Sequence, residues 1–453
     1  MLKIIYLLFL SFSYGWNIDS WKTKPFSQML KYKNNNKLLE VTDILKNKPP
    51  IVLSDEIISL HKELEDVHDG NRFIFMGGDC AETFREHSVS NIIKNYQLFI
   101  LSTLILMNNS GKKITKIARA AGQFSKPRSS DYENINGLKI TSYKGDMINR
   151  EDIYKREPDP YLMLDAYRQS VETMNMLRSL SSSYKFSNID IDNWETEFKD
   201  DIYKLSTLRK LLRNIKNNIN LLKSSGIDND KNLNNAVLYT GHEGLLLPYE
   251  ESFTRLDRFT KQYYDCSAHF LWIGERTRNL NEAHIEFFKG INNPIGIKIS
   301  DKVDPDELLK LLEILNPDNK KGRISLITRM GCKLKDKLPI LIDKITKHKK
   351  NVIWICDPMH GNTIKVFSIK TRFVSDIYSE LYHFFEIHKK KGTIAGGIHL
   401  EMTGNNVTEC LGGNYIEMSN YSNFLDKNYL SACDPRLNLF QTIEIIEKVS
   451  KII

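Results

Sequence analysis

Eight short apolar runs, each closing on a glycine or a polar signal and separated by stretches with helical periodicity, leave this chain few architectures. They fall at 73–76, 114–117, 236–239, 270–273, 294–299, 324–327, 352–355 and 395–400. Runs of this length read as buried strands. Between them, helical patterns occupy about 90–107, 251–262, 338–348 and 375–388, and a last one covers 441–451. The clearest helix start is Asp304-Pro305-Asp306-Glu307: an acid caps the free amides, proline suits the first turn, and Glu307 completes a capping box. Alternation repeated eight times predicts an α/β fold, a closed (β/α)8 TIM barrel rather than an open doubly wound sheet.

Around that barrel, assigned to 71–453, the sequence carries three additions. Residues 1–15 form a hydrophobic leader: Lys3 precedes an apolar core at 4–10 that resembles a minimal signal peptide and is too short to span a bilayer. Residues 16–70 read as an N-terminal extension with short helices at 41–45 and 57–64. The interval between the second and third runs exceeds a single crossover helix, so about 182–227 reads as an inserted helical pair suited to oligomer contact or regulation. The apolar segment 98–107 is brief and reads as a buried helix, so no stable membrane span is expected. Lys plus Arg at 64 against Asp plus Glu at 56 gives a charge of +8. The basic residues are spread along the chain, which argues against nucleic acid and fits small anionic substrates. Six cysteines without regular spacing do not form a disulfide framework, and a reducing compartment is the default.

In such barrels the chemistry sits at the C-terminal strand ends. Every predicted exit carries a polar or charged group. The first gives Cys80; the second, Arg119 and then Lys126-Pro127-Arg128-Ser129; the third, His242 and Glu243; the fourth, Glu275-Arg276-Thr277-Arg278. The fifth ends on Lys298, the sixth leads to Arg329, the seventh to Asp357 and His360, and the eighth to His399 and Glu401. Cys80, His360, Glu401 and the later Asp434 form a thiolate, imidazole and carboxylate set suited to Mn²⁺, Zn²⁺, Co²⁺ or Fe²⁺, and the sulfur disfavours Mg²⁺ and Ca²⁺. Arg119, Lys126, Arg276, Lys298 and Arg329 form a cationic set suited to phosphate and carboxylate groups. The competing readings are a buried core cysteine and histidine for the first set and surface salt bridges for the second.

The longer motifs resemble a known family. Gly77-Gly78-Asp79-Cys80-Ala81-Glu82, Ala121-Gly122-Gln123-Phe124-Ser125-Lys126-Pro127-Arg128-Ser129, Ser142-Tyr143-Lys144-Gly145-Asp146 and Trp272-Ile273-Gly274-Glu275-Arg276-Thr277-Arg278 are similar to the class II (plant-like) 3-deoxy-D-arabino-heptulosonate 7-phosphate synthases. So are Cys356-Asp357-Pro358-Met359-His360-Gly361-Asn362-Thr363, Lys370-Thr371-Arg372, Gly396-Gly397-Ile398-His399-Leu400-Glu401-Met402-Thr403-Gly404 and Ala432-Cys433-Asp434-Pro435-Arg436. The resemblance runs from about Trp16 to the C-terminus.

It implies a metal-dependent, aldol-type condensation of phosphoenolpyruvate with D-erythrose 4-phosphate, the first step of the shikimate pathway. It places the metal, Mn²⁺ ahead of Co²⁺, Zn²⁺ or Fe²⁺, on Cys80, His360, Glu401 and Asp434. Arg119, Glu275, Arg276, Lys298 and Arg329, with Trp272 alongside, match the phosphoenolpyruvate contacts; Lys126, Arg128 and Ser129 match the erythrose phosphate loop. Catalytic roles fall to Lys126, Glu275 and Arg119. A homo-oligomer, dimer or tetramer, and feedback by aromatic amino acids are further expectations, with a plastid or cytoplasmic location. A catalytically dead barrel serving as a scaffold would be expected to have lost a ligand, and all four are present; a related synthase using another phosphosugar is the second alternative. Cys433, beside Asp434, suggests a disulfide with Cys80 when metal is absent.

Overall fold

Each apolar run forms a parallel strand: β1 (Arg72–Gly78), β2 (Lys113–Arg119), β3 (Tyr239–Glu243), β4 (Phe270–Ile273), β5 (Ile295–Ile299), β6 (Ile324–Thr328), β7 (Ile353–Cys356) and β8 (Ala395–Glu401). Each pairs with its neighbours in sequence, and β8 pairs with β1, so the barrel closes. This computed structural model describes residues 17–29, 31–135, 137–183, 237–413 and 424–453, with helical positions at 209, 210, 213, 214 and 217. The leader at 1–15 and nearly all of the predicted insertion at 182–227 lie outside the described residues.

The helices are α1 (Asn35–Lys46), α2 (Ser54–His68), α3 (Val89–Ser110), α4 (Leu162–Ser183), α5 (Leu247–Phe253), α6 (Ala283–Gly290), α7 (Pro305–Leu315), α8 (Leu334–Lys347), α9 (Val374–Lys391) and α10 (Leu439–Val449). Their ends follow local chemistry. Ser88 caps α3 by accepting from the Asn91 amide at 3.2 Å, and Gly111 ends it in the left-handed region. Asp304 caps α7 through the amides of Asp306 and Glu307, both at 2.9 Å. The Glu307 carboxylate bonds Arg278 at 3.3 Å instead of completing the predicted box. Among the described residues α3 is long and apolar enough to cross a membrane; here it packs on β1, β2, α4 and α10 with residues 96–106 buried.

One helix decides which end of the barrel is open. Leu60, Leu64 and Val67 of α2 are fully buried and join Ile74, Met76, Ile117 and Ile353 in a cluster at the barrel's N-terminal end. Full burial of such side chains stabilises by roughly 1.5–3 kcal/mol each, so α2 is a structural floor. The opposite end is left to carry polar groups.

Two predicted elements differ. The third strand begins at Tyr239 rather than 236, so His242 and Glu243 lie on it, not after it. Strand pairing with β4 outweighs the apolar pattern there. The helix predicted at 251–262 is the end of α5 followed by a hairpin, Thr254–Leu256 with Tyr263–Asp265. Asp257 Oδ1 accepts from the amides of Phe259 (3.0 Å) and Thr260 (2.7 Å), a side-chain turn that competes with helix. Two further hairpins, Tyr132–Ile135 with Leu138–Thr141 and Ile364–Val366 with Ile369–Thr371, have no counterpart in the sequence reading.

Candidate active site and metal centre

Strand register puts the key exits on one level: Gly78 is paired with both Glu401 and Arg119. Gly78 has φ +141°, and a Cβ there would come within 2.6 Å of the Arg119 carbonyl, so only glycine lets the chain turn here. Two residues on, Cys80 is fully buried and its Sγ accepts from the Asp434 amide at 3.2 Å. His360 stands on a single turn, His360–Asn362, after β7, and its Nε2 lies 3.2 Å from Glu401 Oε1. Asp357 Oδ2 holds the other ring nitrogen, Nδ1, at 2.7 Å, the orientation a metal-ligating histidine needs.

The predicted ligands fall into two groups that share Asp434. Donor atoms of His360, Glu401 and Asp434 lie within 4.8 Å of one another, as do those of Cys80, Cys433 and Asp434. Donors that close can share one ion at bond lengths of about 2.0–2.4 Å. The charge pattern fits as well. Burial pushes the Cys80 thiol well up, helped by Cys433 and the Glu401 charge. Burial also works against the Glu401 and Asp434 carboxylates, yet His360, Lys126 and Arg372 hold Glu401 well below the usual range, and Lys126 and Arg372 do the same for Asp434. Two carboxylates and a thiol in a desolvated cluster form a set that a divalent cation would balance. All six cysteines are free thiols, Cys80 and Cys433 included.

The cations divide. Arg119, Lys126 and Lys298 are buried in the mouth. Arg119 donates to the carbonyls of Asp79 (2.8 Å) and Cys80 (2.7 Å), to His399 Nε2 (2.7 Å) and to Glu401 (3.4 Å), with Trp272 beneath its guanidinium at 5.1 Å. It thus braces the Cys80 turn. Lys126 Nζ lies 3.4 Å from Glu401 Oε1; burial opposes its charge, but Cys80, Glu401 and Cys433 hold its pKa above the ordinary lysine range. Lys298 donates to Asp357 at 2.6 Å, and burial lowers it to about 8 despite that partner, with Arg119 also lowering it. Arg329 reaches the His360 carbonyl at 3.5 Å, and its Nε is buried without a partner among the described residues.

Other predicted contacts stand apart from this cluster. Glu275 accepts from the Ser300 amide (2.8 Å) and hydroxyl (2.9 Å) and from Arg278 (3.0 Å), which ties it to the β5 exit. Arg276 is exposed. Arg128 pairs with Glu133 at 3.1 Å on the first hairpin, and Ser129 is exposed beside it.

Several residues that hold the site were given no role from sequence. Glu82 accepts three successive amides, Ala121 (2.9 Å), Gly122 (2.8 Å) and Gln123 (2.7 Å), and so fixes the turn that delivers Lys126. His242 backs that turn: a Cβ on Gly122 would lie 2.3 Å from its Nδ1. Arg436 binds Asp79 (2.6 Å), Glu409 (2.9 Å) and Glu86 (3.4 Å) behind the Cys80 and Asp434 segments. Arg372 bonds Glu401 at 2.8 Å. Glu82, Arg372 and Arg436 stand inside the long motifs, which was the available signal; none is itself a barrel-strand exit.

A sequence model of the Class-II DAHP synthetase family matches residues 16–450. The phospho-2-dehydro-3-deoxyheptonate aldolase of Neurospora crassa is 41% identical over 450 residues, covering 95% of this chain and 93% of that protein. The enzyme of the same name from Streptomyces coelicolor is 38% identical over 431 residues, covering 94% and 95%. A solved structure of the phospho-2-dehydro-3-deoxyheptonate aldolase of Francisella tularensis overlays with a TM-score of 0.47 at 16% identity, over 91% of this chain and 95% of that one.

Proposed function

The chain belongs to the class-II DAHP synthetase family, and from that premise we propose that it condenses phosphoenolpyruvate with D-erythrose 4-phosphate and water, giving 3-deoxy-D-arabino-heptulosonate 7-phosphate (DAHP) and phosphate. This is a transferase reaction and opens the shikimate route to chorismate and the aromatic amino acids. The observation that supports the site assignment is the pair of donor groups, His360, Glu401 and Asp434 on one side and Cys80, Cys433 and Asp434 on the other, that share Asp434 beside buried cations at the barrel mouth.

Those four side chains would hold a divalent metal, Mn²⁺ first among Mn²⁺, Co²⁺, Zn²⁺ and Fe²⁺, which supplies Lewis-acid polarisation of the aldehyde. The protein's own groups do the rest. Arg119, Lys298 and Arg329, with Arg276 at the rim, bind the phosphate and carboxylate of phosphoenolpyruvate, and the Trp272 face lies against Arg119 and Lys298. Lys126, Arg128 and Ser129 bind erythrose 4-phosphate. As C3 of phosphoenolpyruvate attacks the aldehyde, the oxygen becomes an alkoxide. Lys126, buried beside Glu401, is the proton donor to that alkoxide. Glu275, fixed by Ser300 and Arg278, orients the water that adds at C2, and the resulting hemiketal expels phosphate.

A homo-oligomer and feedback by aromatic amino acids remain part of this reading, with 16–70 as the extension and 71–453 as the catalytic barrel. The test is inorganic phosphate release from phosphoenolpyruvate with erythrose 4-phosphate, with and without chelator. Release that needs both substrates and stops with chelator is expected. Release with a different phosphosugar but not erythrose 4-phosphate would overturn the substrate, and no release with added Mn²⁺ would overturn the activity.

A further inference from the structure

Arg372 follows the hairpin Ile364–Val366 and Ile369–Thr371, inserted after β7, and is fully buried. Its Nε donates to Thr363 Oγ1 at 3.0 Å. Its Nη1 donates to Glu401 Oε2 at 2.8 Å and also to the Pro435 carbonyl. Thr363 follows His360 by three residues, and Pro435 follows Asp434 directly. One planar guanidinium thus bonds the three separate segments that bring His360, Glu401 and Asp434 together.

The hairpin is itself fastened to the surrounding loops. The Arg372 carbonyl accepts from the Leu411 amide at 2.8 Å, Thr371 Oγ1 donates to the Glu409 carbonyl at 2.8 Å, and the Tyr429 hydroxyl donates to the Lys370 carbonyl at 3.0 Å. Lys370 adds a bond to Asp434 Oδ1 at 2.9 Å. A guanidinium so held is pre-organised, because its bond directions are fixed by the plane of the fork.

Charge points the same way. A thiolate and two carboxylates around a divalent cation leave one negative charge over, in a largely buried site where Arg119 and Lys126 also stand 3.4 Å from Glu401. Arg372 is nearer to Glu401 than either, at 2.8 Å, and shares in offsetting that charge without taking a ligand position; an unbalanced buried charge is strongly disfavoured. We infer that Arg372 is a positioning residue of the metal site, which pre-assembles the His360, Glu401 and Asp434 segments and shares in balancing the charge of the loaded cluster. This rests on the reading of Cys80, His360, Glu401 and Asp434 as metal ligands.

The experiment is Mn²⁺ titration of the full chain by competition with a chelating dye, alongside the cobalt-thiolate absorption of the Co²⁺ form. The variants are Arg372→Lys, which keeps the charge but loses the fork, and Thr363→Val, which removes only the Nε contact. Arg372→Lys should weaken Mn²⁺ binding by about 10–100-fold, the range seen when outer partners of metal ligands are lost, and Thr363→Val, which touches the clamp and not a ligand, should weaken it less, at the low end of that range, about 10-fold. The metal-free melting midpoint should stay near that of the unaltered protein, and excess Mn²⁺ should restore turnover with an unchanged KM for phosphoenolpyruvate. A merely structural arginine would move the midpoint and leave Mn²⁺ affinity alone. Should Arg372→Lys not fold, Thr363→Val decides. Mn²⁺ binding within about twofold of the unaltered protein in either folded variant overturns the role of Arg372. Cys80→Ser run in parallel separates the two readings: if it too binds Mn²⁺ normally, the metal-site assignment itself falls.

Discussion

At the floor of the barrel, Leu60, Leu64 and Val67 meet Ile74, Met76 and Ile353 with almost no exposure to solvent; at the mouth, Arg119, Arg372, Asp357 and Glu401 are just as inaccessible and carry charge. The floor gains about 25 cal/mol for each Å² of apolar surface buried there. Ion pairs at the mouth barely repay the desolvation of their partners. Stability is thus concentrated where no chemistry occurs, and the strained electrostatics lie where a cation and two anionic substrates would relieve them. Glu401 illustrates the point, with Arg372, His360, Lys126 and Arg119 all around one carboxylate.

The contrast can be broken from either end. Cys80→Ser should lower activity by at least about two orders of magnitude, beyond the range for outer partners of metal ligands, while the melting midpoint barely moves. Wild-type turnover in that variant would sink the assignment. Leu64→Ala should do the reverse: a loss of about 2–5 kcal/mol in denaturant unfolding, with kcat unchanged in the folded fraction. Were Leu64→Ala to change KM for phosphoenolpyruvate, the floor and mouth would be coupled and the division wrong.

Glu82→Ala should reduce kcat/KM for erythrose 4-phosphate by roughly 10-fold or more, because three buried amides lose their acceptor and the Lys126 turn loosens, about 1–3 kcal/mol. Mn²⁺ affinity should stay put, which separates this turn from the Arg372 clamp. An equal loss in Mn²⁺ affinity would show that the two are one network.

The smallest effect concerns acid stability on the floor side. Burial raises the Glu56 carboxyl, but His269, the Leu53 amide and Arg178 outweigh that and bring it down to about 2 from 4.5. A folded-state pKa below the unfolded one means that stability is present above pH 4.5 and is lost as pH falls through about 2. Glu56→Gln should therefore flatten unfolding free energy against pH over that window; an unchanged slope would remove Glu56 from the account.

Much of the architecture was legible because strand exits carry both signals at once, an apolar run and the polar group that stops it. That is why Cys80, Lys298, His360 and Glu401 could be picked out, and with them the end of the barrel to search. Glu275 occupies an exit too, but that its carboxylate is held by Ser300 and Arg278 was not legible, since an exit position does not fix which neighbour a side chain meets. Asp257 shows another limit, where one side chain bonding two amides turned an expected helix into a hairpin.

The order of apolar runs was enough to determine the eight-stranded barrel and the chemical character of its mouth, because burial periodicity and donor type are properties of local sequence. Only the tertiary structure decided which groups share a cluster. Arg372 lies 29 residues from Glu401 and 63 from Pro435. No periodicity links those positions; they meet because barrel closure and an inserted hairpin bring the end of β8 and the Pro435 segment to one guanidinium.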